Sequence, residues 1–155
     1  MSARLDRRSF ALGSLAALVV GRAGLVRAQP RVVREGWSGT GAPEGREPAD
    51  LDALTDEERA HVPVLTLPRH VHLGRPFDLV VQVGLRPHAM TSEHHIDWIE
   101  VCLDERRVAV VDLSTDVSFP IVRLPIALPA PAVLTARAHC NQHGTWRTRR
   151  DLAPG

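Results

Sequence analysis

The stretch His88-Ala-Met-Thr-Ser-Glu-His94-His95-Ile-Asp-Trp-Ile-Glu100 constrains this chain more than any other. Three histidines fall within eight residues, and the pattern then changes character. Ile99, Val101 and Leu103 alternate with Trp98, Glu100 and Cys102. Alternation with period two belongs to a half-buried strand, because successive side chains point to opposite faces of a sheet. Imidazoles gathered just ahead of a rigid strand suggest ligands held at a sheet rim. Two further segments can complete such a site: His61-Val-Pro-Val, and Cys140-Asn-Gln-His143-Gly-Thr-Trp146.

The rest of the chain from His61 onward reads as strands. Val62 to Leu67 is short, and Pro63 restricts it to an edge or a strand start. Phe77, Leu79, Val81 and Val83 alternate with Asp78, Val80 and Gln82, the clearest strand in the sequence. Strand 96–103 is followed by a polar loop, Asp104-Glu-Arg-Arg107, and by a return strand from Val108 to Leu113. Phe119 to Leu128 holds another strand interrupted by Pro125; Val133 to Cys140 and Trp146 to Leu152 follow. About seven short strands with Pro/Gly turns and no long helix predict an all-β, immunoglobulin-like seven-stranded β-sandwich over residues 55–152. Thr55-Asp-Glu-Glu58 has the form of a capping box, so a single helical turn is expected before the first strand. Residues 29–54 carry Gly, Pro and charge with no hydrophobic period, the pattern of a flexible linker or a strap over the domain surface. Trp37 is the residue in it able to dock.

Residues 1–28 read as an export signal. Arg7-Arg8-Ser9-Phe10 is a twin-arginine motif, an apolar run from Ala11 to Gly21 follows, and Val26-Arg27-Ala28 suits signal peptidase. The run is too short to span a bilayer, so no stable membrane anchor is expected after cleavage. Arg22 and Arg27 behind it fit the twin-arginine route, which carries folded proteins to the periplasm and allows a cofactor to be loaded first. The segment carries a charge of +4; the whole chain carries +1, which leaves the remainder near −3. That balance, with no basic face interleaved with aromatics, argues against nucleic acid. All 19 basic residues are arginines. In an exported protein two cysteines first suggest a disulfide, but Cys102 and Cys140 fall on separate strands whose register sequence leaves open.

Cys140 and His143 form a Cys-x-x-His step able to reach one ion across a tight turn, which Gly144 makes possible. His88 and His94 flank a loop, and His61 opens a strand. Four imidazoles and one thiolate are one ligand too many for a structural zinc site, which closes at four. Four nitrogens with an axial sulfur leave a sixth position open, an arrangement suited to iron redox chemistry. The thiolate binds only when deprotonated and pushes electron density through the metal toward the open position.

These segments, together with the Gly84…Pro-His88-x-Met run, resemble the iron domain of superoxide reductases, the desulfoferrodoxin and neelaredoxin family. The likeness covers about residues 55–147 in order, with all five ligand positions present. It implies His61, His88, His94 and His143 as equatorial ligands, Cys140 as axial ligand, one mononuclear non-haem iron (Fe2+/Fe3+) and the same sandwich. It also implies reduction of superoxide to hydrogen peroxide, with an external electron donor re-reducing the iron; a homo-oligomer is compatible with it. The small Cys-rich N-terminal domain of some members has no counterpart here. Family members usually carry Glu-Lys before the first histidine; Arg59 and Ala60 stand there instead, and Arg59 is the candidate replacement cation. Ala89 stands where proline is usual. Glu58 is assigned to the capping box rather than to the iron.

The remaining histidines are given structural roles. His95 is expected to pack behind the ligands, His139 to be exposed, and His70 and His72 to be solvated in a turn. Trp98 and Trp146 are expected to shield the iron side of the core, and Asn141 to shape the cysteine loop through its amide. Two other readings compete: an exported binding or carrier module of a redox or sulfur-oxidation complex that keeps the metal for structure or sensing, and a zinc- or copper-binding sandwich.

Overall fold

A computed structural model of the chain describes residues 44–153. The expected signal over 1–28, the segment up to residue 43 and Trp37 lie outside the described residues. A short helix, α1 (Asp56–His61), is followed by β1 (Pro63–Thr66), β2 (Phe77–Val83), β3 (Ile96–Leu103), β4 (Arg106–Asp112), β5 (Ile121–Ile126), β6 (Ala132–Cys140) and β7 (Gly144–Leu152). Three strands form one sheet in the order β1-β2-β5, and four form the other in the order β4-β3-β6-β7. Every strand pairing is antiparallel. This is the immunoglobulin-like sandwich that the strand pattern predicts.

The core is the meeting of the alternating faces. Leu79, Val81 and Val83 of β2 face Ile99 and Val101 of β3 and Leu134, Ala136, Ala138 and Cys140 of β6 in one buried cluster. Each large aliphatic side chain removed from water there stabilises the fold by about 1.5–3 kcal/mol. Cys140 is the last residue of the β6 stripe and is fully buried. The hydrophobic register that aligns β6 therefore also places a thiol at one end of the core.

Four local features differ from the sequence reading. The helical turn runs one residue further than the strand assignment of His61 allows. Thr55 caps α1 in a reciprocal box with Glu58, and the helix closes on His61 before Pro63 starts β1. Glu58 is thereby occupied as the cap partner, as expected. The β3–β4 connection is tighter than the four-residue loop expected. Asp104 and Glu105 take φ of 46° and 61°, and β4 begins at Arg106. Such a turn usually shows itself through glycine. Here the Asp104 carboxylate accepts from the Val133 amide at 2.8 Å and holds the left-handed backbone instead.

β3 and β6 are buried on both faces rather than one. Glu100 is 2% exposed and is held by Arg107 at 2.7 Å and Arg137 at 3.3 Å. A carboxylate removed from water to this degree needs such partners. Cys102 lies on the same outer face and is also buried, and both cysteines are free. The register places Cys102 opposite Thr135 and Cys140 opposite Ile96, so no disulfide can join them. Pro125 does not interrupt its strand, because β5 pairs on one side only and a residue without an N–H is tolerated there. Of the segment before Thr55, residues 44–47 lie as a strap against β7. Arg46 forms a parallel bridge to Trp146, with Arg46 N–H to Thr145 O and Arg147 N–H to Arg46 O, both at 2.9 Å.

Candidate metal centre

Each candidate ligand is placed by a distinct local device. His61 ends α1, and its ring Nδ1 donates to the Glu57 carbonyl one turn back at 2.7 Å. His88 follows β2 on a loop held against the same helix end. Gly84 N–H bonds Val62 O at 2.9 Å, and Leu85 N–H bonds Arg59 O at 2.8 Å. This close approach needs glycine: Gly84 has φ +84°, and a Cβ there would stand 2.5 Å from the Ala60 carbonyl oxygen. His88 Nδ1 then donates to Ala89 O at 2.6 Å. His94 sits in a small closed turn, with Thr91 N–H to His94 O at 3.0 Å and His94 N–H to Thr91 Oγ1 at 3.1 Å. Cys140 and His143 occupy the β6–β7 turn, where Cys140 pairs with Gly144, and Gly144 has φ +72°.

The two ligand loops are stitched to one another. Asn141 Oδ1 accepts from the His95 amide at 3.0 Å, while its Nδ2 donates to Glu93 O at 2.9 Å. Gln142 Nε2 also donates to Glu93 O, at 2.7 Å. Asn141 thus has the role the sequence predicts, and Gln142 is a second brace that the sequence reading missed. A register irregularity between Ile96 and Trp98 lies at the same place, at the mouth of β3. Bulges of this kind re-aim the flanking side chains.

The result is a ring of four imidazoles. Neighbouring ring centroids follow the order His61, His88, His94, His143 and back to His61, at 4.7, 4.4, 4.9 and 4.5 Å. The His61–His94 separation, across the ring, is 5.7 Å. His88 Nε2 is 3.0 Å from both His61 Nε2 and His94 Nε2, and His143 Nδ1 is 3.2 Å from His94 Nε2. Cys140 Sγ lies 3.5 Å from His143 Nδ1 and 3.8 Å from His88 Nε2. His61, His88, His94 and Cys140 place one donor atom each within 4.8 Å of one another. His143 is not within that group of four but stands beside it through its Nδ1 contacts to Cys140 and His94, so the five expected ligands lie together.

The donor chemistry fits a metal. His61 and His88 each give their Nδ1 hydrogen to a carbonyl, which can only accept, so their neutral rings present bare Nε2 lone pairs inward. Two such lone pairs 3.0 Å apart repel unless a cation lies between them. That spacing is also what two nitrogens have on adjacent corners of a square around a metal at about 2.1 Å. Protonation offers no easy substitute. Burial lowers the pKa of His61, His88 and His94, and His88 is pushed down to about 4. Burial raises the Cys140 thiol instead, so an incoming metal has to displace its proton.

Above the ring opens a groove of about 510 Å³, lined by Asp56, Arg59, Ala60, Arg86, His88 and His94 among others. Arg59 reaches it because its backbone is helical, and its Nε donates to Leu54 O at 3.0 Å. Arg86 is a second cation at this mouth that the sequence reading did not single out. Its signal was its place two residues ahead of His88.

The remaining aromatic and histidine assignments divide. Trp146 is buried and stacks on His61 at 5.7 Å with an 18° tilt, shielding the site as expected. Trp98 does not; it lies on the outer face, stacked on His139 at 5.6 Å. His139 is accordingly half-buried rather than exposed, and its Nδ1 meets Thr145 Oγ1 at 2.9 Å. Strand alternation put His139 on the outer face correctly but could not show that this face is covered. His95 packs behind the ligands as expected, bonded to Asp97 at 3.1 Å and to Thr91 O at 2.9 Å. His70 and His72 are exposed.

Comparison with known proteins agrees with this geometry. The desulfoferrodoxin family model matches residues 53–149. A Methanocaldococcus jannaschii protein provisionally named a superoxide reductase is 30% identical over 102 residues, covering 63% of this chain and 86% of its own length. The solved superoxide reductase (neelaredoxin) from Ignicoccus hospitalis is 27% identical with a TM-score of 0.61, over 70% of this chain and 93% of that one. A variant of the superoxide reductase (neelaredoxin) from Archaeoglobus fulgidus, in the reduced form, is 26% identical with a TM-score of 0.54, over 65% and 94%. The family match spans α1 and all the strands but the end of β7, and every one of the five donor residues falls inside it; the chain belongs to the desulfoferrodoxin family.

Proposed function

We propose that this chain is a superoxide reductase with one mononuclear non-haem iron, held by His61, His88, His94 and His143 around Cys140. The observation that carries the reading is the closed ring of four imidazoles with a buried thiol 3.5–3.8 Å from two of its nitrogens. The names of its relatives support superoxide as the substrate. When bound, the iron supplies the single electron that, with two protons, converts superoxide to hydrogen peroxide. The carrier-module reading is not favoured, because it gives no account of an open groove above a complete ligand ring. A zinc site closed at four ligands does not account for the fifth donor.

The chain's own residues do the rest. Nδ1–H bonds to the carbonyls of Glu57 and Ala89 fix the His61 and His88 tautomers, so no ring rotation is needed on binding. Trp146 covers His61 and keeps water from the core side of the ring. Arg59 and Arg86 make the groove mouth positive and draw in a small anion, in the absence of the lysine usual in the family. Electrons come from an external donor. Residues 1–28 direct export to the periplasm by the twin-arginine route.

The test is iron content and superoxide consumption on one sample. About one iron per chain is expected, with a thiolate-to-iron charge-transfer band after oxidation and loss of superoxide from the ferrous protein. Retention of both the band and full iron in Cys140→Ser would refute the ligand assignment. An iron-loaded protein inert toward superoxide would refute the activity.

A further inference from the structure

The strap ahead of the domain touches the metal centre through one residue. Arg46 reaches three features at once. Its guanidinium donates to the backbone carbonyl of His143, pairs with the Glu57 carboxylate at 3.2 Å, and lies 4.2 Å from the centroid of the Trp146 ring. Each partner belongs to the ligand shell. His143 is a donor residue, Glu57 lends its carbonyl to His61, and Trp146 stacks on His61. One planar cation thus joins α1, which carries His61, to the β6–β7 turn, which carries Cys140 and His143.

The strap holds Arg46 in this place by its backbone as well as by its side chain. Arg46 bridges Thr145 and Arg147 on β7. Gly45 has φ +79°, and a Cβ there would come within 3.2 Å of Thr145 Cγ2. Arg147 anchors the strap on either side of Arg46, bonding Glu47 at 2.9 Å and Glu44 at 3.1 Å. Arg149 adds a further contact to Glu47 at 2.8 Å. The ion pairs are surface contacts worth little individually. What they determine is where the guanidinium sits.

We infer that Arg46 is a positioning residue of the metal centre, clamping His61 and His143 together and setting the iron potential through its positive charge. This inference rests on the proposed iron site. A guanidinium fork does two separable things here. Its geometry ties two ligand-bearing segments that are otherwise distant in sequence. Its charge, next to the carbonyl of one ligand and over the ring stacked on another, favours the less positive ferrous state. Lysine can retain the charge but not the fork.

The experiment uses the full chain loaded with iron, in four forms: wild type, Arg46→Met, Arg46→Lys and Arg149→Ala. Two readouts are taken, the midpoint potential and the rate at which a strong chelator removes iron. Arg46→Met is expected to shift the midpoint to lower potential and to release iron about tenfold faster, as removal of groups that orient ligands commonly does. Arg46→Lys is expected to restore most of the potential but not the slow release. Arg149→Ala removes one contact to Glu47 while Arg147 still holds Glu44 and Glu47 on either side of Arg46, and is expected to match wild type in both. If Arg46→Met matches wild type in both readouts while wild type shows its charge-transfer band, the inference is overturned and the iron site stands. If Arg149→Ala reproduces Arg46→Met, docking of the strap as a whole is responsible and the role assigned to Arg46 is overturned. A wild type without the band overturns the iron site and this inference together.

Discussion

Removing the metal exposes the ligand ring to acid in a way that can be calculated for His88. Its pKa is pushed from 6.5 in the unfolded chain down to about 4 in the fold, first by burial and then by its imidazole neighbours. A base whose folded pKa is depressed is neutral in both states above pH 6.5 and costs nothing there. As pH falls below 6.5 the unfolded chain takes up the proton and the fold does not. Stability is therefore present above about pH 6.5 and is lost progressively down to the folded value near 4. At about 1.4 kcal/mol per pK unit, His88 alone removes about 2 kcal/mol between pH 7.5 and pH 5, and about 3 kcal/mol once pH is below 4. His61 and His94 are lowered by the same cause, so they act in the same direction. The assay is urea denaturation of the metal-free protein at several pH values. It compares wild type with His88→Asn, which can still donate toward Ala89 O, and with His70→Asn at an exposed position. Wild type and His70→Asn are expected to lose stability together, while His88→Asn loses about 2 kcal/mol less over the same interval. Parallel curves for all three would refute the claim that burial of His88 makes the empty ring acid-sensitive.

Alanine at His61, His94 or His143 is expected to lower iron occupancy, whereas alanine at His70 or His72 leaves it unchanged; metal analysis after dialysis separates the two groups. Arg86→Ala and Arg59→Ala are each expected to slow the reaction of the ferrous protein with superoxide by severalfold at low salt. Ala60→Lys should accelerate it, and both effects should shrink near 0.15 M salt, where the screening length is about 8 Å. Rates insensitive to salt and to all three substitutions would show that the groove's charge does not steer the anion. Glu100→Ala leaves the buried Arg137 guanidinium with Glu105 as its remaining carboxylate partner among the described residues, and is expected to cost about 3 kcal/mol in chemical denaturation without altering the iron spectrum.

Sequence alone determines the sandwich and marks the candidate donor residues, for a common physical reason. Both depend on local order. The alternation in β2, β3 and β6 fixes which faces are buried, and so carries Cys140 to the end of the core stripe. Ligand spacing across short turns, as in Cys140-x-x-His143, is legible because the turn itself is short. What sequence left open are features set by segments far apart in the chain. Whether His61 closed a helix or opened a strand depended on a capping box competing with a proline, and the box extended through the histidine. Trp98 and His139 were placed on the correct face but assigned the wrong surroundings, since a strand pattern does not reveal what covers its outer side. Arg86 and Arg46 gave little local signal. Arg86 becomes part of the site because Gly84 lets its loop lie against Ala60. Arg46 joins it because a strap about a hundred residues upstream of His143 lies along β7. Charge acts through space rather than along the chain, so the cations around this iron site were fixed only when the tertiary structure brought them there.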